Sequence, residues 1–191
     1  MKRYVLWVLL GLTVLGLAAS EAPAQPAQVF IIRHGEKGPG MSAVSLSLKG
    51  QERAAALVPF FTQTPELVYQ GLPSALFATK IIPGDLSHCA LETLNPLSER
   101  LRLLTNAHYG KKDYADLAQE VLTNLRYQKK TVLICWDYEY IPRLAAALGV
   151  WPEPPKWPEE VFDRVLIITY RGGQASLVNM PQRLMFGDSP E

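Results

Sequence analysis

Val29-Phe30-Ile31-Ile32-Arg33-His34-Gly35-Glu36 is the stretch that decides how the remainder of the chain is read. Four consecutive β-branched or aromatic residues end abruptly at a cation, an imidazole and a glycine. A buried parallel strand has this form when it delivers polar side chains at its C-terminal end. His34 is the candidate nucleophile, because an imidazole nitrogen can attack a phosphoryl group. Arg33 can hold anionic oxygens with its planar fork, and Gly35 lets backbone approach closely because it has no Cβ.

Downstream, the chain alternates helical and strand patterns. Ser47 is placed to cap a helix running to about Phe61, with Ala54, Leu57, Val58 and Phe61 on one face. Arg53 lies off that stripe and can face either a pocket or solvent. A short strand is expected over Ala75–Thr79, then a helix from Leu86 or Leu91 to Leu101. Asp113 is a candidate N-cap for a helix carrying Tyr114, Leu117, Ala118, Val121, Leu122 and Leu125. Thr131–Trp136 shows no alternation, so both faces should be covered. A helix from Pro142 to Gly149 follows, and Pro152, Pro154, Pro155 and Pro158 hold an extended covering loop. Val165–Tyr170 and Ala175–Met180 flank Gly172-Gly173 and read as a hairpin.

Residues 1–24 have the form of a secretory signal peptide. Lys2 and Arg3 precede an apolar run from Tyr4 to Ala19, and small residues follow. That run is shorter than the roughly 20 residues of a membrane span, so a retained anchor is the lesser alternative. Cleavage leaves residues 25–191 as one domain, exported to a periplasm or secreted, with no membrane association afterwards. Losing Lys2, Arg3 and Glu21 brings the 19 Lys and Arg and the 18 Asp and Glu to equal numbers, which disfavours nucleic acid as a partner. The 2 cysteines, Cys89 and Cys135, allow one disulfide in an oxidising compartment. No metal site or cofactor is expected, and nothing in the pattern sets the oligomeric state.

Three further segments align with the opening stretch: Leu46-Ser47-Leu48-Lys49-Gly50-Gln51-Glu52-Arg53-Ala54, Glu92-Thr93-Leu94-Asn95-Pro96-Leu97, and Trp136 with Ile141-Pro142. Together with Pro181-Gln182-Arg183-Leu184 they make the chain resemble the histidine phosphatase (phosphoglycerate-mutase-like) superfamily, in its exported bacterial branch, from Val29 to about Asp188. The resemblance implies an α/β three-layer sandwich. Its mostly parallel central sheet carries helices on both faces and an antiparallel C-terminal hairpin at one edge.

The resemblance also implies phosphomonoester hydrolysis of a small phosphorylated molecule through a phosphohistidine at His34. Arg33, Gly35, Arg53 and Lys37 would bind the phosphate, and Glu139 or Glu36 would protonate the leaving group. Two family positions are altered. Cys89 stands where the second arginine belongs, and Tyr138 where the second histidine belongs. Losing one charged donor at such a site costs about 10²–10³ in rate, or about 3–4 kcal/mol. Tyr138, with the ordinary tyrosine pKa of about 10, offers a hydrogen bond without positive charge. Two functions therefore compete: an attenuated hydrolase, and a catalytically silent relative that binds a phosphorylated or anionic ligand or a protein partner. His88 and Lys80 are the other cations near the expected pocket.

Overall fold

Val29, Phe30, Ile31 and Ile32 are all fully buried, and they place β1 (Gln28–Arg33) at the centre of the sheet. The computed structural model describes residues 25–40, 44–83 and 87–189. The signal-peptide expectation for residues 1–24 lies outside them. After β1 come α1 (Leu48–Gln63), the one-turn α2 (Pro65–Val68), β2 (Pro73–Ala78) and α3 (Cys89–Leu101). A two-residue β3 (Thr105–Asn106), α4 (Tyr114–Thr123), β4 (Thr131–Trp136), α5 (Ile141–Ala147), β5 (Arg164–Arg171) and β6 (Gln174–Pro181) complete the chain.

The strands form a six-stranded sheet in the order β3-β2-β4-β1-β5-β6. β1 pairs in parallel with β4, β4 with β2, and β2 with β3. β5 runs antiparallel to both β1 and β6, which puts the hairpin at one edge as expected. The period of two along a strand sends Val29, Ile31, Val132, Ile134 and Trp136 to the face covered by α4 and α5. Phe30, Ile32, Leu133 and Cys135 go to the face covered by α1 and α3. Both faces are dry, which is why β1 and β4 read as unbroken apolar runs.

Several local expectations shift. Asp113 precedes α4 but makes no side-chain cap; its carboxylate accepts instead from the Gly110 N–H at 2.9 Å. α3 ends at Arg102, which takes a left-handed φ of 55° without a glycine. β3 and α2 are too short to carry a periodic signal. Among the described residues no helix is long and apolar enough to cross a membrane.

One tight contact positions the loop after β1. The Glu36 carbonyl accepts from the Ser47 N–H at 2.8 Å and the Ser47 hydroxyl at 3.2 Å, and it lies directly over Gly50 in the first turn of α1. A Cβ added at Gly50 would sit 2.3 Å from that oxygen. Gly50→Ala should therefore destabilise by about 1–3 kcal/mol, although alanine is the better helix former by about 1 kcal/mol. Urea denaturation measures this. An unchanged or raised midpoint would show that the loop is not held by close backbone packing.

Candidate active site

The C-terminal ends of β1, β2 and β4 converge, and β1 delivers His34 there into a buried turn. This is the end of a parallel sheet at which open α/β folds bind ligands. Two residues at the start of α3 pin the loop after β1. The Gly35 N–H donates to the Thr93 hydroxyl at 2.8 Å, and the Glu92 carboxylate accepts from the Leu46 N–H at 2.7 Å. A Cβ at Gly35 would lie 3.0 Å from the Gly50 carbonyl, so glycine is required for this approach.

His34 is 5% exposed, and its Nδ1 is 2.8 Å from the Gly35 carbonyl oxygen. A carbonyl can only accept, so Nδ1 carries the hydrogen and Nε2 keeps its lone pair. Burial pulls the imidazole pKa down to about 4; the Gly35 hydrogen bond opposes this, and the charges of Arg33 and Lys37 lower it further. The ring is neutral at pH 7 and has a free nitrogen, the state a nucleophile needs.

His34 opens onto a small pocket of about 40 Å³, room for a phosphoryl group in place of a few waters. Lys37, Lys80 and Lys111 line it, with the Thr79 and Ser87 hydroxyls. Asp137 is its carboxylate, 3.4 Å from the Lys111 ammonium. Lys37, expected at the phosphate, lines this pocket beside His34. Lys111 and Asp137 were not anticipated, although Asp137 follows β4 as His34 follows β1, and that parallel placement was the available signal. Among the described residues no group of three or more potential ligands could hold a metal ion.

Arg33 is turned elsewhere. Its guanidinium is stacked between the rings of Phe162 (3.8 Å) and Tyr138 (4.4 Å). Nη1 donates to the Val161 carbonyl at 3.2 Å and to the Glu159 carbonyl, and Nε is buried without a partner. Burial holds its pKa below the ordinary value. Tyr138 is consequently a stacking partner of Arg33, and it lines a separate cleft with Glu139, Tyr140, Arg143, Lys156 and Trp157. Glu139 is exposed in that cleft, and Asp137 rather than Glu139 shares the pocket with His34.

Arg53 corrects the phosphate-binding expectation. It is 2% exposed, and its fork is taken up by Glu36 (3.0 and 2.8 Å) and Asp188 (3.0 and 2.7 Å). Burial alone would raise both carboxyls, but the hydrogen bonds from Arg53 prevail and hold Glu36 and Asp188 below their ordinary values. Glu36 is therefore an ionised structural partner and not a proton donor. Cys89 is fully buried beside Leu46 and Ala54, with its thiol 3.6 Å from the Val44 carbonyl. Both cysteines are free thiols whose pKa burial pushes up. His88 faces solvent.

Solved structures share the fold of this chain. A chain from Escherichia coli, provisionally described as an alpha-ribazole-5'-P phosphatase, aligns with a TM-score of 0.56 at 13% identity, over 84% of this chain and 98% of its own. A mycobacterial glucosyl-3-phosphoglycerate phosphatase in complex with VO3 gives 0.53 at 16%, over 80% and 97%. A phosphoserine phosphatase from Entamoeba histolytica in complex with 3-phosphoglyceric acid gives 0.50 at 14%, over 83% and 99%. The chain shares the fold of these phosphatases. No family model matches the chain, and no curated protein matches it by sequence.

Two outcomes follow from this electrostatic layout. Because the folded-state pKa of His34 lies below its ordinary 6.5, protonation favours the unfolded chain, and stability is lost as pH falls from about 6.5 to about 4. Thermal unfolding should show a smaller acid loss over that window in His34→Gln than in the wild type, and equal losses would contradict a neutral buried ring. Arg53→Met should cost about 3 kcal/mol in urea denaturation, because it leaves the Glu36 carboxylate with Lys49 alone and Asp188 with the Leu184 and Met185 N–H groups. A cost below about 1 kcal/mol would reduce the cluster to a surface pair.

Proposed function

We propose that this chain is an exported member of the histidine phosphatase superfamily that hydrolyses small phosphomonoesters slowly, through a phosphohistidine at His34. The observation that carries the reading is the neutral His34 ring, its Nδ1 hydrogen bonded to the Gly35 carbonyl, in a pocket ringed by three lysines. The charged start, apolar run and small residues of positions 1–24 support export.

In this scheme Lys37, Lys80 and Lys111 attract the phosphoryl oxygens. His34 Nε2 attacks phosphorus, the N–P bond forms and the ester P–O bond breaks, and the leaving oxygen takes a proton from the Lys111 ammonium, which Asp137 holds at 3.4 Å. Water then attacks the phosphohistidine and returns a proton to the Lys111 amine, which frees inorganic phosphate and the imidazole. The rate is attenuated because lysines act as point charges where the family uses arginine forks. Arg33 adds no charge-assisted bond while the 159–162 segment holds it. That same sequestration favours the second reading, a silent relative that binds a small phosphorylated ligand.

Turnover of p-nitrophenyl phosphate and a panel of small phosphomonoesters separates the two. The expected result is slow hydrolysis, about 10²–10³ below what a complete clamp supports, abolished by His34→Ala and accompanied by an acid-labile, alkali-stable phosphoenzyme. Turnover equal to that of His34→Ala, with inorganic phosphate still raising the wild-type thermal midpoint, would replace hydrolysis by binding.

A further inference from the structure

Thr93 is buried with no accessible surface, yet neither the pocket lining nor the proposed chemistry employs it. Its hydroxyl accepts from the Gly35 N–H at 2.8 Å and donates to the Cys89 carbonyl one turn earlier in α3 at 2.6 Å. The donated bond directs the hydroxyl hydrogen at Cys89, which leaves an oxygen lone pair for Gly35. The bonded Gly35 amide belongs to the peptide that joins His34 to Gly35. The Gly35 carbonyl, on the next peptide, receives the His34 Nδ1 hydrogen.

We infer that Thr93 is a positioning residue: its hydroxyl fixes the His34–Gly35 peptide so that the Gly35 carbonyl holds His34 in the Nδ1–H tautomer with Nε2 free. The inference rests on the proposed role of His34. A free imidazole favours the opposite tautomer, with the hydrogen on Nε2, and in that form the nitrogen that must attack phosphorus carries a proton. The carbonyl therefore has to be held against the ring, and Gly35, with no side chain, cannot hold itself. Three neighbours constrain it: the Gly50 backbone on one side, Leu46 above, and Thr93 as the hydrogen-bonding partner. Only the last selects an orientation, since packing limits how far the peptide can move but does not choose which way its carbonyl points. A second residue of the same turn, Glu92, ties down Leu46 at the far end of the loop, so α3 grips both ends of the segment.

The test compares Thr93→Val, Thr93→Ala and Thr93→Ser with the wild type. The His34 tautomer is read by long-range ¹H–¹⁵N NMR and turnover by steady-state kinetics on p-nitrophenyl phosphate. Wild type should show the Nδ1–H pattern. Thr93→Val and Thr93→Ala should move His34 toward Nε2–H and lower kcat about 10²-fold with little change in KM, and Thr93→Ser should restore most of both. Retention of the Nδ1–H tautomer and of kcat in Thr93→Val overturns the inference. So does failure of Thr93→Ser to restore them, because the methyl group would then be what matters. If Thr93→Val and Thr93→Ala do not fold, the wild-type spectrum still decides, and an Nε2–H tautomer there overturns it. A protein without His34-dependent turnover defeats the hydrolase reading alone, since the tautomer measurement stands without it.

Discussion

The loop after β1 can carry His34 only because two glycines, Gly35 and Gly50, allow backbone to touch backbone where the loop crosses the first turn of α1. The polar partners of the loop itself are arranged from that contact. The Glu36 carbonyl is received by Ser47, the Glu36 side chain is received by Arg53, and Gly35 is received by Thr93. The loop therefore joins α1, α3 and, through Arg53, the C-terminal segment at Asp188. An imidazole held this way loses little entropy on binding a ligand, because its geometry is set beforehand.

The electrostatic character of the site differs from what its residue types suggest. Of the two arginines assigned to phosphate, one neutralises two buried carboxylates and the other is stacked between two rings. Positive charge reaches the pocket through three lysines, contributed by the loop after β1, the end of β2 and the loop before α4. Lysine supplies a mobile point charge and arginine a planar fork, so the exchange keeps attraction for an anion and loses geometric control of its equatorial oxygens. A cavity of about 40 Å³ has room for a group of phosphoryl size and little more.

Much of the architecture was legible in the chain. Val29–Ile32 and Thr131–Trp136 lacked alternation because helices cover both faces of the sheet, and Gly172-Gly173 announced the hairpin because both residues adopt positive φ. The capping role of Ser47 is realised through the Gly50 N–H at 3.1 Å. Asp113 was misread because an aspartate before a helix can serve the preceding turn equally well, and here it binds the Gly110 N–H. Arg53 was ambiguous for a similar reason: its position on α1 shows which side it projects from but not which carboxylates lie across the gap.

Sequence alone determined the strand that leads into His34, the helices that cover it and the uncharged side chains at Cys89 and Tyr138, because those are properties of local pattern and residue identity. Tertiary structure alone decided which charges share the pocket. Asp137, Lys80 and Lys111 meet His34 across strand ends that are far apart in the chain, while the guanidinium of Arg33, its immediate neighbour, is held by the 159–162 segment between the rings of Phe162 and Tyr138. What a side chain at a strand end meets is set by segments distant in the chain, here 159–162 for Arg33, so sequence proximity to His34 does not by itself place a side chain in its pocket.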